Sequence, residues 1–206
     1  MVSRVVCDIS ISADGYSAGN EQTAERPFGD ADESILHSWM FDTPEENRAE
    51  LDAITNAKAF IMGRNMFGPV RGEWSGDWTG WWGPRPPYGA PVFVLTHYRR
   101  DPVVMDGGTT FHFVTDGIEA ALERAHDVPG EANVAVAGGA TTVNQYLTAG
   151  LLDELRLHIT PCTLGAGTRV FDGVPPLELE QVSSRAATRV THVTYRLVHR
   201  PGTAQR

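Results

Sequence analysis

An α/β fold with a mostly parallel central sheet is predicted by three features of the 206-residue chain. Short apolar, strand-like runs alternate with amphipathic, helix-like segments, the order that a parallel sheet covered on both faces requires. From Leu177 onward two more strand-like segments follow without a helix between them, which calls for a closing antiparallel hairpin. Neither an internal repeat nor a flexible linker breaks the pattern, so residues 1–200 read as one domain and 201–206 as a frayed tail.

The elements follow in order. A first strand covers Arg4 to Ile11, with Val5, Cys7, Ile9 and Ile11 on one face. Residues 12–32 read as a long polar loop, and Ser34 to Phe41 as a short helix. A second helix starts at Thr43. There Thr43-Pro44-Glu45-Glu46 places a cap, a proline at the first helical position and a capping-box glutamate in register, ahead of Leu51 and Ile54 on one face. Ala59 to Met62 is a buried strand entering a turn at Gly63. Pro91 to Thr96 and Thr110 to Val114 are two more. Asp116, with Glu119 three residues on, caps a helix whose apolar face is Ile118, Ala121, Leu122 and Ala125. Asn133 to Ala137 is a strand that turns through Gly138-Gly139-Ala140 into a helix capped by Thr142 with Gln145. Gly150 stands where the C-terminal cap of that helix is expected. Leu155 to Thr160 is a strand, and Leu177 to Ser183 with Val190 to Val198 make the closing pair.

A formal net charge of -9 argues against a nucleic-acid partner, which needs a basic face. A phosphorylated small molecule stays compatible, because a few arginines and helix amides hold one phosphate. Cys7 and Cys162 are the only cysteines. Two are too few for a disulfide framework, no His/Cys cluster has metal-ligand spacing, and Cys7 reads as a core residue. No apolar run reaches the length of a membrane span, and the N-terminus lacks the apolar centre of a signal peptide. A cytoplasmic setting is the expectation.

Three turns are competent to bind phosphate, and each follows a predicted strand. In Gly138-Gly139-Ala140-Thr141-Thr142 two glycines let a ligand approach the backbone, and the helix start behind them offers free amides and partial positive charge. By itself this is as readily a tight strand-to-helix turn, and it is not the GxGxxG fingerprint. Gly63-Arg64-Asn65-Met66 adds a guanidinium fork after the next strand. Thr96-His97-Tyr98-Arg99-Arg100 places a hydroxyl and paired arginines after a third. Alone the Arg64 turn reads sooner as a surface arginine after a turn, and the Thr96 turn as a solvated strand end. Together they mark the carboxyl edge of the sheet, where open α/β sheets bind ligands.

The pieces Ser12-Ala13-Asp14-Gly15, Gly63-Arg64-Asn65-Met66, Leu95-Thr96-His97 and Val136-Ala137-Gly138-Gly139-Ala140 occur in the order and rough spacing of the dihydrofolate reductase superfamily, which the chain resembles. Gly150-Leu151-Leu152-Asp153-Glu154-Leu155, followed by the run Pro161 to Phe171, is similar to its riboflavin deaminase-reductase branch, and the likeness runs from Val2 to His199. The resemblance implies a dihydrofolate-reductase-like three-layer fold, NADPH as cofactor, hydride transfer to a small heterocyclic or aromatic C=N or C=O substrate, and a homodimer. A non-catalytic NADPH-binding sensor or assembly module is the alternative. Tyr16 stands where the riboflavin members carry a lysine, so the acceptor is not named.

On this likeness Gly138, Gly139, Ala140, Thr141 and Thr142 hold the pyrophosphate from one side, and Gly63, Arg64, Asn65 and Met66 from the other. Thr96 with Arg99 faces the adenosine phosphate, and His97 stacks near the adenine. The first strand and Asp14 border the nicotinamide, Asp14 as proton donor or loop anchor. Trp78, Trp81 and Trp82 lie in a stretch rich in Gly and Pro and must cover something. They are expected to wall a flat substrate next to the nicotinamide, with a packed loop or subunit contact as the other reading.

Overall fold

The computed structural model describes residues 3–23, 25–68, 72–74 and 77–198. The tail at 201–206 lies outside these. Among the described residues a nine-stranded sheet has the order β10-β11-β8-β1-β7-β3-β4-β6-β5. Its strands are β1 (Val5–Ser12), β3 (Ala59–Gly63), β4 (Pro91–Leu95), β5 (Val103–Val104), β6 (Thr110–Val114), β7 (Val134–Gly138), β8 (Glu154–Thr160), β10 (Leu179–Ala187) and β11 (Val190–Leu197). The six strands from β8 to β6 run parallel. The hairpin β10–β11 closes one side antiparallel against β8, as the helix-free C-terminal pattern predicts.

Parallel strands buried on both faces need two cores. On the first face Val5, Cys7, Ile9 and Ile11 of β1 pack with Ile61, Val134 and Val136 under α4 (Ile118–His126) and α5 (Ala140–Thr148). Cys7 is fully buried, and burial raises its thiol pKa. On the second face Val6, Phe60, Met62, Val92, Val94 and Phe111 form a core under Trp74, Trp78 and Trp82. The helices α1 (Glu33–Phe41) and α2 (Arg48–Thr55) follow β1 toward the β8–β11 half, where Trp39 is fully buried.

The helix starts differ from the expected ones. Thr43 does not begin α2: its hydroxyl bonds back to the Trp39 carbonyl, residues 44–47 form turns, and Asn47 precedes the helix at Arg48. Asp116 does not cap α4, which starts behind Gly117 while Asp116 pairs with Arg124. Thr142 lies inside α5, which starts behind Gly139. In each case the cap signature matches a local pattern, but another partner takes the polar group: a carbonyl four residues back for Thr43, an arginine of the same helix for Asp116, and the end of β3 for Thr142. Within 12–32 the structure adds β2 (Tyr16–Ala18), paired with β9 (Thr168–Arg169).

Candidate functional site

The parallel strands end side by side, and the loops leaving them line up as Asp14 after β1, Gly138-Gly139 at the end of β7, Arg64 after β3 and Thr96 after β4. Four of the motifs read from sequence thus share one edge.

The centre of that edge is the β7–α5 turn. The Gly138–Gly139 peptide is cis, and Gly138 has φ 123, a conformation that side chains other than glycine's rarely adopt. Gly139 is exposed, and a β-carbon built on it meets nothing within 4 Å. Open space therefore lies directly over the N-terminus of a nine-residue helix, with Ala140 buried and Thr141 exposed behind it. Thr142 is turned inward, and its hydroxyl occupies the room a β-carbon on Gly63 would need. Thr142 and Gly63 therefore hold α5 against the end of β3 and do not face the open side. Met66 packs its sulfur against Gly138.

Next to it, α3 (Arg64–Phe67) is a single turn that lifts Arg64 onto Trp74, with the guanidinium carbon 3.9 Å from the ring centroid and 5.3 Å from that of Tyr98. Arg100 reaches the same indole from the β4 side at 5.0 Å. The aromatic cover strips water from Arg100 and lowers its pKa, with Asp77 opposing. Trp74 donates its Nε1 proton to the Tyr98 carbonyl, and Thr96 Oγ1 accepts from the Tyr98 amide, so the β4 turn is locked around this indole. His97 and Arg99 stand exposed beside it. Thr96 is thus spent on its own turn, and Arg100 is the arginine held in place. The sequence groups Trp74 with Trp78, Trp81 and Trp82 in one aromatic stretch, but its place between the two arginines is set by the fold.

At the other end Asp14 ties two loops together. Its Oδ1 accepts from the Ser12 hydroxyl at 2.6 Å and the Leu164 amide at 3.1 Å, and its Oδ2 from the Gly165 amide at 2.8 Å. The Ser12 bond is the largest cause of a pKa lowered to about 2; lost hydration opposes it and the amides add to it. A carboxylate so held has no proton to give near neutral pH. Of the two roles expected for Asp14, the geometry builds the loop anchor and leaves proton delivery unsupported. Arg169, on the loop that Asp14 holds, lies over Tyr16 at 5.4 Å.

Trp78 and Trp82 pack over the second core. Trp82 stacks on Phe111 at 5.8 Å and meets Tyr88 edge-on at 5.2 Å. Trp78 meets Trp81 at 4.6 Å and donates its Nε1 proton to the Phe67 carbonyl at 2.8 Å. The contacts of Trp78 and Trp82 lie over the β3–β4–β6 part of the second core. These two cover the core, which is the packed-loop reading. Aromatic rings bury large apolar area, and the rings presented by β6 and Phe67 are the surface that needs it.

Comparison with known proteins places this edge in context. The chain matches the RibD C-terminal domain over residues 3–193. It is 23% identical over 201 residues to the uncharacterized protein YyaP of Bacillus subtilis (strain 168), covering 93% of this chain and 94% of that one. Among solved structures, a putative riboflavin biosynthesis protein from Shewanella sp. PV-4 superposes with a TM-score of 0.60 at 20% identity, covering 95% of this chain and 99% of the other. A dihydrofolate reductase from Enterococcus faecalis, complexed with NADP(H) and RAB-propyl, superposes with a TM-score of 0.56 at 14% identity, covering 96% and 98%. The fold is dihydrofolate-reductase-like.

Proposed function

Because the chain belongs to the RibD C-terminal domain family, we propose that it is an NADPH-dependent reductase delivering a hydride to a small heterocyclic or aromatic C=N or C=O acceptor. The observation that carries the proposal is the open space over Gly139 at the start of α5, with Arg64 on the neighbouring strand end of the same edge. A pyrophosphate needs that combination of close backbone approach, helix amides and a guanidinium.

In this reading Gly139, Ala140 and Thr141 would hold the pyrophosphate from the α5 side, and Arg64 and Asn65 from the β3 side. Arg100 and Trp74 would receive the adenosine end, Arg100 taking the 2′-phosphate that separates NADPH from NADH. NADPH supplies the hydride when bound. Asp14 acts at a distance from that step: by fixing residues 12–16 to 164–165 it shapes the loop over the end of β1. The protein's part is positioning and exclusion of water.

The reading is tested by titrating NADPH and NADH against intrinsic tryptophan fluorescence, then following NADPH absorbance with a panel of pterins, flavin precursors and cyclic imines. Tight NADPH binding with turnover on at least one acceptor supports the reductase. Tight binding with no oxidation on any would favour a non-catalytic sensor or assembly module. Absence of binding would remove both. The proposal includes a homodimer, and the free edge of β10, exposed along most of its length with Val182 45% accessible, is the surface offered for it. Light scattering on the eluting protein should give twice the chain mass, and Val182→Glu should lower it.

A further inference from the structure

Thr141, Gln145 and Thr148 recur at helical spacing, so they share the outer face of α5, while Val143, Tyr146 and Leu147 enter the first core. The loop that carries Arg169 and Asp172 runs beside this polar face. Between helix and loop lies a groove of about 660 Å³, lined also by Ile118. That is room enough for a small molecule. The side chains of Thr141, Gln145 and Thr148 make no hydrogen bond of their own among the described residues.

The loop is fixed from both sides. Asn144 Nδ2 donates to the Arg169 carbonyl at 2.9 Å and the Asp172 carbonyl at 3.2 Å, and Asn144 Oδ1 accepts from the Phe171 amide at 2.8 Å. These bonds hold Phe171 at φ 70, in the left-handed region that residues other than glycine seldom adopt. From the β1 side Arg169 pairs with Tyr16 between β9 and β2, and the Val170 amide donates to the Gly15 carbonyl at 2.9 Å. The Arg169 side chain is laid along this turn. A β-carbon on Gly15 would stand 3.2 Å from its Nε, and its guanidinium lies over the Tyr16 ring. Arg124, Arg156, Arg185, Arg189 and Arg196 each face a carboxylate. Among the described residues no carboxylate comes within ion-pair distance of Arg169, not even that of Asp172 in the same groove.

We propose that this groove is a second small-molecule site, taking a hydroxylated compound that carries one anionic group, a phosphate or a carboxylate. Arg169 binds the anion; Asp172, Gln145 and the threonines of α5 bind the hydroxyls. The site stands beside the cofactor edge and does not depend on the cofactor reading.

The chemistry follows from the groups present. A guanidinium fork matches two oxygens of a phosphate or carboxylate, and its charge strengthens both bonds. The carboxylate of Asp172 accepts from a hydroxyl and repels a second anion, so it selects for a single negative charge on a hydroxylated body. Gln145, Thr141 and Thr148 both donate and accept, as a row of hydroxyls requires. Because Asn144 and the β2–β9 pairing already order the loop, little further ordering opposes binding.

The test is titration of isotope-labelled protein, free of nicotinamide cofactor, followed by backbone amide shifts. Glucose 6-phosphate and gluconate are the phosphate and carboxylate probes; glucose and inorganic phosphate are the controls. At least one probe should move the amides of residues 141–148 and 167–172 saturably, and the tighter of the two identifies the anion. Glucose should move none, and inorganic phosphate should bind at least about tenfold more weakly than the better probe. Arg169→Ala should weaken that probe at least about tenfold. Arg169→Lys, which keeps the charge and loses the fork, should weaken it less. Gly139→Val should bind it as wild type does. Silence of these amides with both probes would overturn the proposal, as would wild-type affinity in Arg169→Ala or equal affinity for inorganic phosphate. Binding lost in Gly139→Val and kept in Arg169→Ala would put the anion at the start of α5 and also overturn it. So would displacement of the probe by NADPH, which would make the groove part of the cofactor site. If Arg169→Ala does not fold, the wild-type shift map and the Gly139→Val titration decide. A protein that binds no NADPH leaves every other arm unchanged.

Discussion

Gly139, Arg100 and Asp14 carry the residue-scale expectations. Since a β-carbon on Gly139 meets nothing, Gly139→Val should fold with an unchanged urea midpoint. It should nevertheless lose NADPH affinity by at least about a hundredfold, about 2.7 kcal/mol, because the branched side chain fills the space a pyrophosphate would take. Normal binding by this variant would move the phosphate site elsewhere. Arg100→Ala should weaken NADPH about tenfold or more, the loss expected of one charge-assisted phosphate contact, and leave NADH nearly unchanged. Equal losses for both would deny Arg100 its selective role. Arg99→Ala, exposed and unheld, should do less. For Asp14 the sign is that of a carboxylate with a depressed pKa: its contribution is present above its ordinary 3.8 and lost as pH falls through about 2. The stability gap between wild type and Asp14→Asn should therefore be level above pH 4 and close toward pH 2. The rate should show no limb from Asp14 between pH 5 and pH 9; a neutral-range limb that vanished in Asp14→Asn would restore it as a proton donor.

At the scale of elements, the tryptophan segment behaves as part of the core. Trp78 is tied to Phe67, the last residue of α3, and a β-carbon on Gly68 would collide with the Trp78 indole nitrogen. Trp78→Phe removes one N–H donor and should cost about 1 kcal/mol. Gly68→Ala pushes the indole off its place and should cost about 1–3 kcal/mol, as overpacking does. Both follow from urea midpoints at constant slope. If Gly68→Ala were neutral, the segment would be lying loosely on β4 and β6. Because α3 also carries Arg64, displacing Trp78 should weaken NADPH more than a surface change of equal cost. α2 is the contrary case, an amphipathic helix whose Leu51 and Ile54 remain half-exposed and whose hold on the sheet is polar.

For the molecule as a whole, a net charge of -9 leaves the carboxyl edge as a local exception, with Arg64, Arg99 and Arg100 gathered there. No helix among the described residues is long and apolar enough to cross a membrane. If that edge is a cofactor site, NADPH at about a hundred times its Kd should stabilise the fold by about 2.7 kcal/mol. In a thermal melt that is a rise of roughly 5 to 11 °C for a domain of this size. NADH at the same concentration should raise it less, and no rise with either would remove the cofactor reading.

The mostly parallel sheet covered on both faces, its closing antiparallel hairpin and the alignment of the Gly139, Arg64 and Thr96 turns were legible in the sequence. Short apolar runs have one good use in an α/β chain, and a parallel sheet delivers all their ends to one edge. The cap assignments at Thr43, Asp116 and Thr142 were not legible, because each polar group had a competing partner that the capping pattern does not show: the Trp39 carbonyl, Arg124 and the end of β3. The same holds for Trp74 between Arg64 and Arg100, and for Asp14 bound to loop amides 150 residues away. Asp8, His158 and His192 lie far apart in the chain and look like ordinary polar positions of three alternating strands. They meet only because strand pairing sets them side by side, with Trp39 over both imidazoles. Sequence determined which elements form and which edge they share; tertiary packing decided what each polar group touches, because hydrogen-bond partners and desolvation depend on neighbours brought together only by the fold.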